Sequence, residues 1–261
     1  HANQFLNNAR ERDEALRRAW ALSMKTTERE RLLIKAEYAG FIEKKPEEHI
    51  RLLKEAAKKF PKDKELQYRI GAYYLHKDMF EPSYAAFAEA LSLDPDYPDA
   101  LNNAGYACLG LKKYEKAVEY LKRNASLSPG NPNPLDSLAE AYFLMGKLDE
   151  AIENYRKALE VKPDFHGSMI SLAYVYALKE DYFEASKLLD NYLEAAPSSG
   201  VKLLGYLHKG FFSAWLGSGE KSLDYLGRAE DLADAMGSQR WKAGVNRLRS
   251  WVYYDRHELE L

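Results

Sequence analysis

Residues 64 to 165 contain one 34-residue unit three times over, without a gap. Gly71, Gly105 and Ala139 share one position of the unit, and Ser83, Ala117 and Ala151 follow twelve residues later. Phe87, Leu121 and Tyr155 come four residues after those, and Pro95, Pro129 and Pro163 close the units. A fixed period of this length means a stacked array, because one such unit cannot bury its apolar face alone. Within each unit apolar residues recur at three- and four-residue spacing over two segments, which is a helical period twice over. The unit is expected to be a helical hairpin. Glycine inside a helix costs about 1 kcal/mol relative to alanine, so Gly71 and Gly105 imply close approach of a neighbouring helix. Proline after the second segment stops it, having no N–H to continue the ladder.

Taken in register, these positions resemble the tetratricopeptide repeat. The resemblance implies an all-α fold, a right-handed superhelical solenoid of antiparallel helix pairs. The expected divisions are an N-terminal helix (1–28), a divergent repeat (29–63), four repeats (64–97, 98–131, 132–165 and 166–199), a repeat-like unit (203–236) and a C-terminal capping helix (237–261). In residues 3–23, Ala15, Ala19 and Leu22 fall where a second helix of a preceding repeat would place them, so the expectation is an excerpt of a longer array, with a capping helix as the alternative. Phe5 and Ala9 are further candidates for burial there. Thr27-Glu28-Arg29-Glu30 has the form of a capping box. In the divergent unit Ala36 takes the small position, which makes the loop through Lys44, Lys45 and Pro46 one residue longer. Ser198-Ser199-Gly200 is expected to end the 166–199 unit, and Gly237 the second helix of the unit after it.

Composition excludes several function classes. Net charge is −2, so no general attraction to nucleic acid or anionic lipid is implied. The basic residues of the last helix, among them Arg247, Arg249 and Arg256, read as its solvated face. No run of 18 apolar residues would insert in a membrane, and the N-terminus lacks a signal-peptide pattern. The compartment stays open, the cytoplasm being the expectation. The one cysteine, Cys108, reads as a small core residue. The six histidines include no pair at zinc-ligand spacing, and no phosphate loop or nucleophile elbow occurs. The expectation is no catalytic residue, no metal and no cofactor. Asp136 and Glu140, four apart on one helix, read as solvated carboxylates rather than an acid–base pair.

The repeat resemblance implies a concave groove lined by the first helices of successive units. Carried onto this chain, the groove residues are Tyr68, Leu75, Asn102, Tyr106, Asp136, Glu140, Phe143, Ile170, Tyr174, Leu207 and Phe211. Tyrosine brings a large contact area with a polar tip, which suits an interface. The alternative use of these aromatics is to fill space between neighbouring first helices. Asp99, Asp136 and Glu140 make the centre acidic, and Asn133 and Ser137 stand where a chaperone-tail clamp would need cations. The expected partner is therefore a basic and apolar protein or peptide segment, not a chaperone C-terminal carboxylate. Self-association through the end helices, giving a homodimer, is the alternative. Leu22-Ser23 with Glu28 to Ile34, and Asn131-Pro132-Asn133 with Asp136-Ser137-Leu138, resemble repeat arrays of bacterial signalling proteins such as serine/threonine kinases and nucleotide cyclases. That likeness implies a regulatory or assembly module.

Overall fold

A computed structural model describes residues 2–255, and side chains from Arg10 to Tyr254. Phe5, Ala9 and Arg256, named above for their side chains, lie outside those limits. The described residues form helices joined by short turns, in two compact units that divide between Lys147 and Leu148.

The first unit holds α1 (Ala2–Leu22), α2 (Glu28–Glu37), α3 (Pro46–Lys59), α4 (Lys64–Leu75), α5 (Phe80–Leu93), α6 (Pro98–Gly110), α7 (Tyr114–Leu127) and α8 (Pro132–Leu144). From α2 onward each helix packs on the next in the chain, and α6 also touches α4 and α8. Starts are specified locally. Thr27 and Glu30 form the expected capping box, with Thr27 N donating to Glu30 Oε2 at 3.0 Å. Asp63 accepts from the amides of Glu65 and Leu66, and Pro46, Pro98 and Pro132 open α3, α6 and α8.

The small positions are close-packing points. A Cβ added to Gly71 would lie 2.6 Å from the Phe87 ring, and one added to Gly105 would lie 2.7 Å from Leu121 Cγ. The Ser83 hydroxyl, fully buried, donates to the Gly71 carbonyl at 3.0 Å and so ties α5 to α4. Cys108 is buried in α6, and burial pushes its thiol pKa up.

Turns between paired helices share one feature. Lys44, Asp78, Lys112, Gly146 and Glu180 all adopt positive φ, at strict 34-residue intervals. This corrects the expectation of a longer loop at Lys44–Pro46, since Lys44 keeps the common spacing. The extra residue is absorbed upstream in a π-helical turn, Tyr38–Ile42, the usual way a helix houses a one-residue insertion. His49 then occupies the position that is small elsewhere, and Gly40 makes room for it: a Cβ there would meet His49 Nδ1 at 2.4 Å.

The second unit holds α9 (Leu148–Val161), α10 (His166–Leu178), α11 (Tyr182–Glu194), α12 (Ser199–Trp215), α13 (Gly219–Ala235) and α14 (Gln239–Asp255), again packed in sequence. Ser198 caps α12, its side chain accepting from Val201 N, so Ser199 and Gly200 begin a helix rather than end a unit. Gly210 meets Leu226 closely and Gly237 takes positive φ just beyond α13. On α14, Arg249 pairs with Glu230 and Lys242 with Asp234, so two of its cations hold it to α13. No described helix is long and apolar enough to cross a membrane.

Candidate peptide-binding surface

The expected groove residues fall in both units and are all half-buried. On the first, Tyr68 and Leu75 lie on α4, Asn102 and Tyr106 on α6, and Asp136, Glu140 and Phe143 on α8. Tyr68 packs on Phe87 and Tyr97, at ring-centroid distances of 5.8 and 5.3 Å, and its hydroxyl accepts from Asn103 Nδ2 at 3.3 Å. Leu75 lies against the core around Phe87, Ala100 and Ala104.

Tyr106 links α6 to α8. Its hydroxyl donates to Glu140 Oε2 at 3.0 Å and lies 3.1 Å from Ser137 Oγ. A phenol has one proton, so Ser137 donates to Tyr106 when Tyr106 donates to the carboxylate. Burial first, and then the neighbouring Glu140 and Asp136 charges, hold the phenol protonated far above neutral pH. The carboxylates of Asp136 and Glu140 thus sit on a surface whose tyrosine is fixed and neutral.

A hollow of about 300 Å³ lies beside them, and Asn102, Asp136, Tyr68 and Tyr106 line it together with Asp99 and Asn124. No lysine or arginine lines it. The nearby guanidinium of Arg69 is committed to Glu37 at 2.7 Å and Glu65 at 2.8 Å. The repeat register did not single out Asn124. Its signal was present, because Asn124 stands where the neighbouring units have Ala90 and Ala158.

In the second unit the expected residues divide. Tyr174 is enclosed by its neighbours, 5.9 Å from Phe211, 4.8 Å from Phe212 and 5.8 Å from His208 between centroids. Its hydroxyl shares a 3.2 Å hydrogen bond with His208 Nδ1. Phe211 in turn stacks on Trp251. These aromatics therefore fill space between helices as well as facing outward. Ile170 packs on the core of Met169, Tyr192 and Val201, and Leu207 on that of Leu203, Leu226 and Val245. His208 was not expected in this cluster. Burial lowers its pKa to about 4 and keeps the imidazole neutral. Among the described residues no group of three or more His, Cys, Asp or Glu is placed to hold a metal ion.

The arrangement offers acceptors, aromatic walls and negative charge. Three family models of the tetratricopeptide repeat match, over residues 65–97, 84–132 and 137–165. A search of curated proteins finds no match. Among solved structures the chain is similar to a tetratricopeptide repeat protein from Parabacteroides merdae, with TM-score 0.70 and 16% identity over 88% of this chain and 87% of that one. It is also similar to PilW, a type IV pilus biogenesis factor, with TM-score 0.67 and 16% identity over 84% of this chain and 99% of that one. The crystal structure of MamA aligns with TM-score 0.57 and 24% identity, over 61% of this chain and 93% of that one. Residues 65–132 and 137–165 thus carry tetratricopeptide repeats, and the chain shares the fold of such arrays.

Proposed function

We propose that the protein is a non-catalytic scaffold that binds an extended protein or peptide segment along the first-helix faces, chiefly on α4, α6 and α8. The observation that carries this reading is the acidic hollow there. Asp99 and Asp136 line it, Tyr68 and Tyr106 wall it, and no lysine or arginine is among its lining residues. A segment with a basic residue near its middle and bulky apolar residues on either side has the complementary chemistry. Charge contributes mainly to encounter rate and selectivity and weakens with salt, while a few aromatic anchors supply most of the affinity. Tyr106 and Phe143 are the anchors of this reading. In it the array acts as a regulatory or assembly module, in keeping with the likeness of its sequence to repeats of bacterial signalling proteins.

The test is selection of a random peptide library on the intact chain. The expected consensus is a lysine or arginine flanked by aromatic or aliphatic residues. A consensus rich in aspartate and glutamate would overturn the proposal.

A further inference from the structure

Asn124 breaks the rule of its position. Three other second helices carry alanine there, Ala56 in α3, Ala90 in α5 and Ala158 in α9, each fully buried, while α11 carries the apolar ring of Tyr192. In α7 the same position holds an amide that is only 4% exposed, and its Oδ1 has no hydrogen-bond partner. On α6, Asn102 Oδ1 is likewise buried and unpartnered. Both residues line the hollow described above, with Asn103, Ser137 and the carboxylates of Asp99 and Asp136. A buried polar atom without a partner is unfavourable, and alanine at this position would be the better helix former. An arrangement that weakens the free protein at a concave site is what a binding function leaves behind.

The chemistry of the hollow selects its ligand. Asparagine amides can turn to offer oxygen or NH2, but the two carboxylates fix the sign of the charge that fits. A guanidinium has five N–H donors in a planar fork and no acceptor, and it is more weakly hydrated than an ammonium. Several acceptors spread around one hollow match that fork better than a compact, strongly hydrated ammonium. We propose that this hollow is the pocket for one arginine side chain of the bound segment, with Asn102, Asn124 and the carboxylates of Asp99 and Asp136 as its acceptors. The pocket rests on the groove reading above and narrows it, making arginine rather than lysine the central residue.

The experiment is a titration of the intact, 15N-labelled chain with N-acetyl-arginine amide, N-acetyl-citrulline amide and N-acetyl-lysine amide. Citrulline keeps the shape of arginine without its charge. The arginine compound is expected to shift the side-chain amide signals of Asn102 and Asn124, with citrulline and lysine binding at least about tenfold more weakly (~1.4 kcal/mol). Asn124→Ala, which installs the residue of the neighbouring repeats, should lose that binding by tenfold or more and melt at a higher temperature than wild type. A purely structural amide would give the opposite melting shift. No shift at Asn102 and Asn124, equal binding of citrulline, or a lower melting temperature for Asn124→Ala would each overturn the pocket. Peptide selection separates the two levels. A lysine-centred consensus with no shift at Asn124 would sink the pocket and leave the groove. An arginine-specific shift with an acidic consensus would support the pocket and sink the groove.

Discussion

The substitution Gly105→Ala tests how the hairpins are held together. At this site the new Cβ would stand 2.7 Å from Leu121 Cγ and 2.8 Å from Leu121 Cδ2. Cγ is the branch point of a fully buried side chain, so relief requires moving the leucine or the helix. Overpacking of this kind typically costs about 1–3 kcal/mol. Against that, alanine gains about 1 kcal/mol over glycine in a helix interior. The expected net effect is therefore a loss of about 0–2 kcal/mol. Gly227 in α13 and Gly244 in α14 have nothing within 4 Å of an added Cβ. The same change there should stabilise by about 1 kcal/mol. At about 2–4 °C per kcal/mol for a chain of this size, the two classes should differ in melting temperature by about 2–12 °C. Thermal melts followed by circular dichroism at the helical band provide the measurement. Adding Leu121→Val should restore part of the loss in Gly105→Ala, a coupling of about 0.5–3 kcal/mol between touching residues. If Gly105→Ala and Gly227→Ala raised the melting temperature equally, with no coupling to Leu121, the close-packing argument would fail.

Two further predictions address the ends of the pH and concentration ranges. His208 is neutral in the folded chain, with its pKa lowered from 6.5 to about 4 by burial, so the unfolded state binds its proton first as pH falls. Stability is then fully present above pH 6.5 and drops by about 1.4 kcal/mol per unit as pH falls toward 4; His208→Gln should flatten denaturant midpoints over that window, and an unchanged slope would refute the assignment. At the N-terminal end Leu22 and Met24 are 54% and 78% exposed, and exposed apolar groups favour association. Sedimentation is expected to show a mass that rises with concentration and falls back in Leu22→Ser/Met24→Ser, whereas a monomer at all concentrations would remove self-association through this end.

The fold was legible because the repeat states one packing solution several times. Gly71 against Phe87 and Gly105 against Leu121 are the same contact, so register alone locates it. Irregular places were harder, because their signals are local. The insertion at Tyr38–Ile42 leaves no mark but a displaced small residue, and a loop and a π-helical turn absorb it equally well on paper. Ser198-Ser199-Gly200 carries residues suited to ending one helix or capping the next, and only the observed hydrogen bond to Val201 N decides. The candidate surface was legible by position but not by environment. Register lists Tyr106 and Tyr174 as equivalents, yet Tyr106 is tied to a carboxylate and Tyr174 is enclosed by aromatic rings and His208. Those neighbours come from other helices, at distances along the chain that no pattern in one unit specifies. Asn124 shows the complementary case, in which a departure from the repeat carried the information.

The central claim is that the acidic face of α6 and α8 selects a basic segment. It is tested most directly by fluorescence anisotropy of a selected arginine-centred peptide against wild type and the double variant Asp136→Lys/Glu140→Lys. A loss of at least about tenfold in affinity, or ~1.4 kcal/mol, is expected, with unchanged helical circular dichroism and a wild-type affinity that declines as salt rises. Equal affinity of the two proteins for that peptide, at any salt concentration, would contradict it.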